Sequence, residues 1–138
     1  MSNAEVIEFN GKVFAIVIRK ELEPEETKFY THKNNSLQVG IIRHKKGYIE
    51  MPHIHKRKER IIEDTQETLH VVQGLVKVNF YEVDGRKVGE VLLKEGDMIL
   101  LINGGHAIEV LEDLKAIKVK QGPYISIEED KEFLGVKE

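Results

Sequence analysis

Apolar residues in this chain come in short alternating runs, and a turn residue closes almost every run. Val76, Val78 and Phe80 alternate with Lys77, Asn79 and Tyr81 before Asp84-Gly85. Leu37, Val39 and Ile41 alternate with Gln38 and Gly40 before Lys45-Lys46-Gly47. Side chains two apart face the same way in a strand, so each run has one dry face and one wet face. Almost nothing follows a helical period.

The remaining runs agree. Residues 13–18, Val-Phe-Ala-Ile-Val-Ile, read as a buried β-branched strand. Residues 21–35 read as a polar loop with a strand-like piece around Phe29. Residues 48–55 form a strand with Pro52 at an edge or bulge. Residues 56–66 form a long charged loop, either a solvated surface or a lid that meets an anionic substrate. Further strands are expected at 67–72, ending at Gly74, and at 76–83, followed by a tight primed turn at Asp84-Gly85. Residues 87–93 return, Glu95-Gly96-Asp97 turns, and the wholly apolar 98–102 is buried on both faces. After Asn103-Gly104-Gly105 come strands 106–111 and 114–121, with a turn at Glu112-Asp113 and with Ile117 and Val119 inward. Ser126 and Glu129 form a capping box for a short terminal helix. About eight to ten short strands so punctuated make an all-β chain, an antiparallel sandwich or barrel.

A length of 138 residues suits one domain, 1–138. With 24 acidic against 21 basic residues and a net charge of -3, nothing draws the chain to nucleic acid or an anionic membrane. The absence of cysteine excludes a disulfide framework and thiolate metal ligation. The start lacks the basic end and apolar run of a signal peptide, and no run is long enough to span a membrane, so a cytoplasmic location is expected.

Chemistry concentrates at His53-Ile54-His55. On a strand the two imidazoles point into one space, which is half of a divalent metal site. Glu67 shares its face with Leu69 and Val71, and His106 shares its face with Ile108 and Val110, so both are expected inward. A carboxylate on an apolar face needs a partner or a metal. His70 falls on the opposite face from Glu67. His32 and His44 are expected at the surface, Gln66 and Tyr81 outward, and Gln121 as a pocket group or a satisfied core amide.

These residues resemble the cupin superfamily. Its first motif is Gly, five residues, His-x-His, a gap, Glu, six residues, Gly; Gly47, His53, His55, Glu67 and Gly74 fit both halves. The second motif is Gly, five residues, Pro-x-Gly, two residues, His; Gly96, Gly104 and His106 follow it. Three departures stand out: the gap before Glu67 is longer, Ile102 holds the proline position, and one residue is missing between Gly104 and His106. The resemblance covers about residues 37–121 and implies a single jelly-roll β-barrel. It implies a divalent transition metal (Mn, Fe, Co, Ni, Cu or Zn) on His53, His55, Glu67 and His106, acting on a small molecule as an isomerase, dioxygenase or similar enzyme. Two alternatives stand beside it. One is a metal-free nucleotide-sugar isomerase or epimerase, for which Lys56-Arg57-Lys58 suits a pyrophosphate. The other is a non-catalytic ligand-binding barrel. No catalytic residue is assigned. The resemblance further implies a homodimer, and residues 13–18, apolar on both faces, need cover on both.

Overall fold

A computed structural model describes residues 3–136. Among the described residues, β1 (Glu5–Phe9) turns through Asn10-Gly11 into β2 (Lys12–Ile18). Asn10 and Gly11 have φ of 50° and 74°, the primed geometry that Asn-Gly favours. The expectation starts the sheet at residue 13; the structure adds β1, and the Asn-Gly dipeptide is the signal that marks it. β3 (Lys28–Phe29) and β4 (Gly40–Ile41) pair as a small separate sheet, so the expected strand at 37–43 shrinks to two residues. β5 (Glu67–Tyr81), β6 (Lys87–Lys94), β7 (Met98–Leu101) and β8 (Gly105–Lys120) follow, then the single turn of α1 (Ile127–Asp130). The Ser126 hydroxyl caps α1, accepting from the Glu129 N–H.

The main sheet is antiparallel, in the order β1-β2-β7-β5-β6, with β8 along the other side of β5. β6 and β7 lie end to end against β5, with Leu75 opposite Lys94 and His70 opposite Met98. Glu95-Gly96-Asp97 is therefore a kink in one long line, not a hairpin. β8 runs beside β5 from the Glu67–Lys120 pair to the Tyr81–Gly105 pair. All these lines break at one level, where β5 and β8 shift register between Val71 and Val76. Gly74 has φ of 104° there, and a Cβ on it would press on the Asp113 carbonyl. The sheet folds over along this line into a curled half-barrel.

Asp97 pins the bend. Its side chain is fully buried, and its carboxylate accepts from the Lys20 and Lys94 N–H groups at 3.0 and 2.9 Å. Arg19 Nη1 stands 3.0 Å from the same carboxylate. Burial opposes the charge, but the Lys94 and Lys20 N–H groups and the Arg19 and Lys94 side chains outweigh it and lower the carboxyl's pKa.

The core has two parts. Phe14, Val17, Leu69, Val78, Phe80 and Ile99 belong to the larger cluster, inside the curl. Ile18, Leu22, Val39 and Leu100 form a second cluster on the other face, under the layer that carries β3 and β4. Residues 13–18 and 98–102 thus find cover on both faces within the chain, and the 13–18 run carries no argument for a second copy.

Several expectations change. The pieces at 67–72 and 76–83 are one strand through Gly74, and those at 106–111 and 114–121 are one strand through Glu112-Asp113. Since no turn resets β8, its alternation runs on: Ala116 packs on the inner core, while Ile117 and Val119 come out on the other face, 56% and 58% exposed. At Asp84-Gly85 only Gly85 has positive φ, so that turn is not of the primed type. Residues 48–55 form no strand. Every residue from 42 to 65 is exposed.

Candidate functional site

Glu67 opens β5 and faces into the curl with Leu69 and Val71, as expected. Its side chain is only 9% exposed. His106, near the start of β8, sits opposite Phe80 and shares that strand's inner face with Ile108 and Val110. Folding the sheet over brings the two ends of the curl together, and His106 Nε2 lies 3.0 Å from Glu67 Oε1. The chain turns at Gly104 just before β8 begins. Gly104 has φ of 74°, and a Cβ there would strike the Phe14 ring. The chain thus reaches His106 with its side chain inward.

Lys118 joins them, with Nζ 3.7 Å from Glu67 Oε1. The hydrogen bond from His106 lowers the Glu67 pKa most; burial opposes this, and the charges of Lys118, His106 and Lys120 add to it. Lys118 is the residue that sequence reasoning passed over. The signal was available, since counting by twos from His106 reaches Lys118, but the supposed turn at Glu112-Asp113 hid the phase.

His53 and His55 lie apart, on the exposed stretch without regular structure. Their rings still meet, edge to face, with centroids 5.3 Å apart. His53 Nδ1 is 2.8 Å from the Met51 carbonyl. A carbonyl only accepts, so Nδ1 carries the proton, and Nε2 keeps its lone pair while the ring is neutral. Glu50 stands 3.6 Å from that Nε2. The four expected ligands form two pairs, Glu67 with His106 and His53 with His55. Among the described residues, no three His, Cys, Asp or Glu side chains gather closely enough to hold a metal ion.

The other polar candidates find structural work. His70 is exposed on the face opposite Glu67, and His32 and His44 are exposed, the latter stacked on Tyr48 at 3.9 Å. Gln66 faces away from Glu67 but is buried, not outward. The layer carrying β3 and β4 covers it, and its amide pairs both ways with Asn35. The Gln121 amide accepts from the Gln66 N–H at 2.8 Å and donates to Ser36. It is thus satisfied, at the rim of a cleft of about 210 Å³ where Ile62 and Thr65 pass Gly122-Pro123. Among the described residues, no helix is long and apolar enough to cross a membrane. Compared with family models, curated proteins and solved structures, the chain matches none of them.

Proposed function

We propose that this chain is a cupin-like jelly-roll barrel that holds a divalent transition metal and binds a small molecule in its interior. One observation carries the reading: a buried carboxylate, Glu67, meets an inward imidazole, His106, at the two motif positions inside a curled antiparallel sheet. Carboxylate and imidazole are donor types that suit Mn, Fe, Co, Ni, Cu or Zn, but Glu67 and His106 are only two donors, and the ion would need more. His53 and His55 would supply the other two ligands once residues 48–55 lie along the free side of β8. Among the described residues, β8 pairs only with β5 in the main sheet, and it exposes Val110 and Leu111. Residues 48–55 expose Ile49, Met51 and Ile54. An edge strand with free backbone groups and an extended apolar stretch each lack what the other offers.

When bound, such a metal supplies Lewis-acid or redox chemistry at a carbonyl, an enediolate or oxygen. The chain's own residues do the rest. In the present conformation the Met51 carbonyl holds the proton of His53 on Nδ1 and leaves Nε2 open; His53 and His55 would each offer one ring nitrogen to the ion.

A second reading has its own support. Glu67 orients the His106 ring as carboxylates orient catalytic imidazoles. That pair could move a proton as base and acid without a metal, as a sugar-nucleotide isomerase requires.

Elemental analysis of the purified protein separates the two. We expect about one metal per chain in the wild type and almost none in the His53→Ala/His55→Ala variant, with the fold retained because the core is apolar. Full metal content in that variant would sink the metal reading.

A further inference from the structure

We infer that the outer face of the sheet carries a second binding site, a cleft of about 550 Å³ beside Tyr30 that takes a small neutral molecule with an apolar body and a carboxamide. It stands apart from the metal reading, since neither Glu67 nor His106 lines it. Its walls come from the β1–β2 hairpin, from Ile102 and Asn103 before β8, and from the segment 30–35. Ile16 is 5% exposed yet joins neither core cluster. It lies opposite Val6 on the hairpin, and Val6 is 53% exposed. Opposite residues of an antiparallel pair share a face, so these two and Ile102 give the cleft an apolar wall. Its volume falls within the range of small-molecule sites.

The Tyr30 hydroxyl points to an occupant. It is buried and has no hydrogen-bond partner among the described residues. A buried hydroxyl left unpaired is costly, and such groups are few in folded proteins. Polar side chains that share the cleft are taken up by the protein itself. Thr31 donates to Gln38 and accepts from the Val39 N–H. Both ends of the Asn35 amide meet Gln66. Tyr30 is part of the cleft wall, so the partner that its hydroxyl lacks has to come from the cleft.

Two more groups define what that partner is. The Asn34 N–H donates to His32 Nδ1 at 3.1 Å, so a neutral His32 carries its proton on Nε2. The Asn103 amide nitrogen donates to the Val13 carbonyl at 3.1 Å, which leaves the amide oxygen as an acceptor. Tyr30 and His32 thus offer donors and Asn103 an acceptor. A carboxamide answers both, with a carbonyl that accepts and an N–H that donates. Charge selects a neutral molecule. Among the described lining residues Lys12 alone carries a fixed charge, and its ammonium is held by Glu82 at 3.4 Å and stands over the Phe14 ring.

Benzamide, titrated into the isotope-labelled full chain and followed by backbone amide NMR, tests the site. We expect saturable shifts confined to the cleft, at Gly11, Val13, Thr31 and Asn103. Tyr30→Phe should weaken benzamide about tenfold and leave the melting temperature unchanged or higher, because the hydroxyl it removes bonds to nothing in the free protein. A tyrosine kept for structure alone would give the reverse, a lower melting temperature with unchanged affinity. If Tyr30→Phe is unstable, Val6→Trp at its exposed position decides, since the larger ring fills the cleft: lost binding with the fold intact supports the site, and unchanged affinity ends it. No saturable shift in the wild type, shifts that map elsewhere, or equal affinity in a stable Tyr30→Phe overturns the inference.

Discussion

Two acidic residues carry the strongest local chemistry, and they serve different ends. Glu67 faces the inside of the curl, where His106 and Lys118 share one of its oxygens. Asp97 belongs to the bend, where backbone N–H groups of two segments and Arg19 converge on a fully buried carboxylate. Removing Asp97 leaves those donors unpaired, so Asp97→Ala should cost about 3 kcal/mol at neutral pH, read from urea unfolding. The pH dependence follows from the sign of its shift. The folded state lowers the Asp97 pKa, so its contribution is complete above the unfolded value of about 3.9 and fades as pH falls through the lower folded value. The gap between wild type and variant should therefore close in acid. A gap unchanged between pH 7 and pH 2 would mean that the carboxylate's charge is not what holds the bend.

The elements are long and kinked where the sequence suggests short and separate ones. β5 changes phase at Gly74, so Glu67, Leu69 and Val71 face inward before it and Val76, Val78 and Phe80 after it. A side chain at position 74 meets both the strained φ of 104° and the carbonyls of Glu112 and Asp113. Gly74→Ala should cost about 2–3 kcal/mol and loosen the contact between Glu67 and His106, visible as a rise in the Glu67 pKa by carboxyl NMR. A variant as stable as the wild type would show that the fold line does not depend on this glycine. The stretch 42–65 is the opposite kind of element, wholly exposed and without regular structure. Trypsin should cut first among Lys56, Arg57, Lys58 and Arg60. If this stretch closes over the curl as proposed, a divalent metal should slow that cut several-fold in the wild type and not in the His53→Ala/His55→Ala variant. Equal rates with and without metal would count against closure.

At the scale of the whole molecule, the legible and the illegible divide along one physical line. Period-two alternation is a local property, so the all-β class, the inward facing of Glu67 and His106, and the outward facing of His70 all follow from spacing alone. The Asn10-Gly11 hairpin was equally local, since the dipeptide itself favours positive φ at both positions. Where a strand ends is not local. Glu112-Asp113 carries the composition of a turn, yet β5 lies alongside and supplies the ladder that keeps β8 extended through it, which sends Ile117 outward and Lys118 inward. The sequence determined which residues could form a polar centre inside an apolar curl. Only the tertiary structure decided which of them meet, because the 3.0 Å approach of His106 to Glu67 depends on a sheet folding over between residues far apart in the chain.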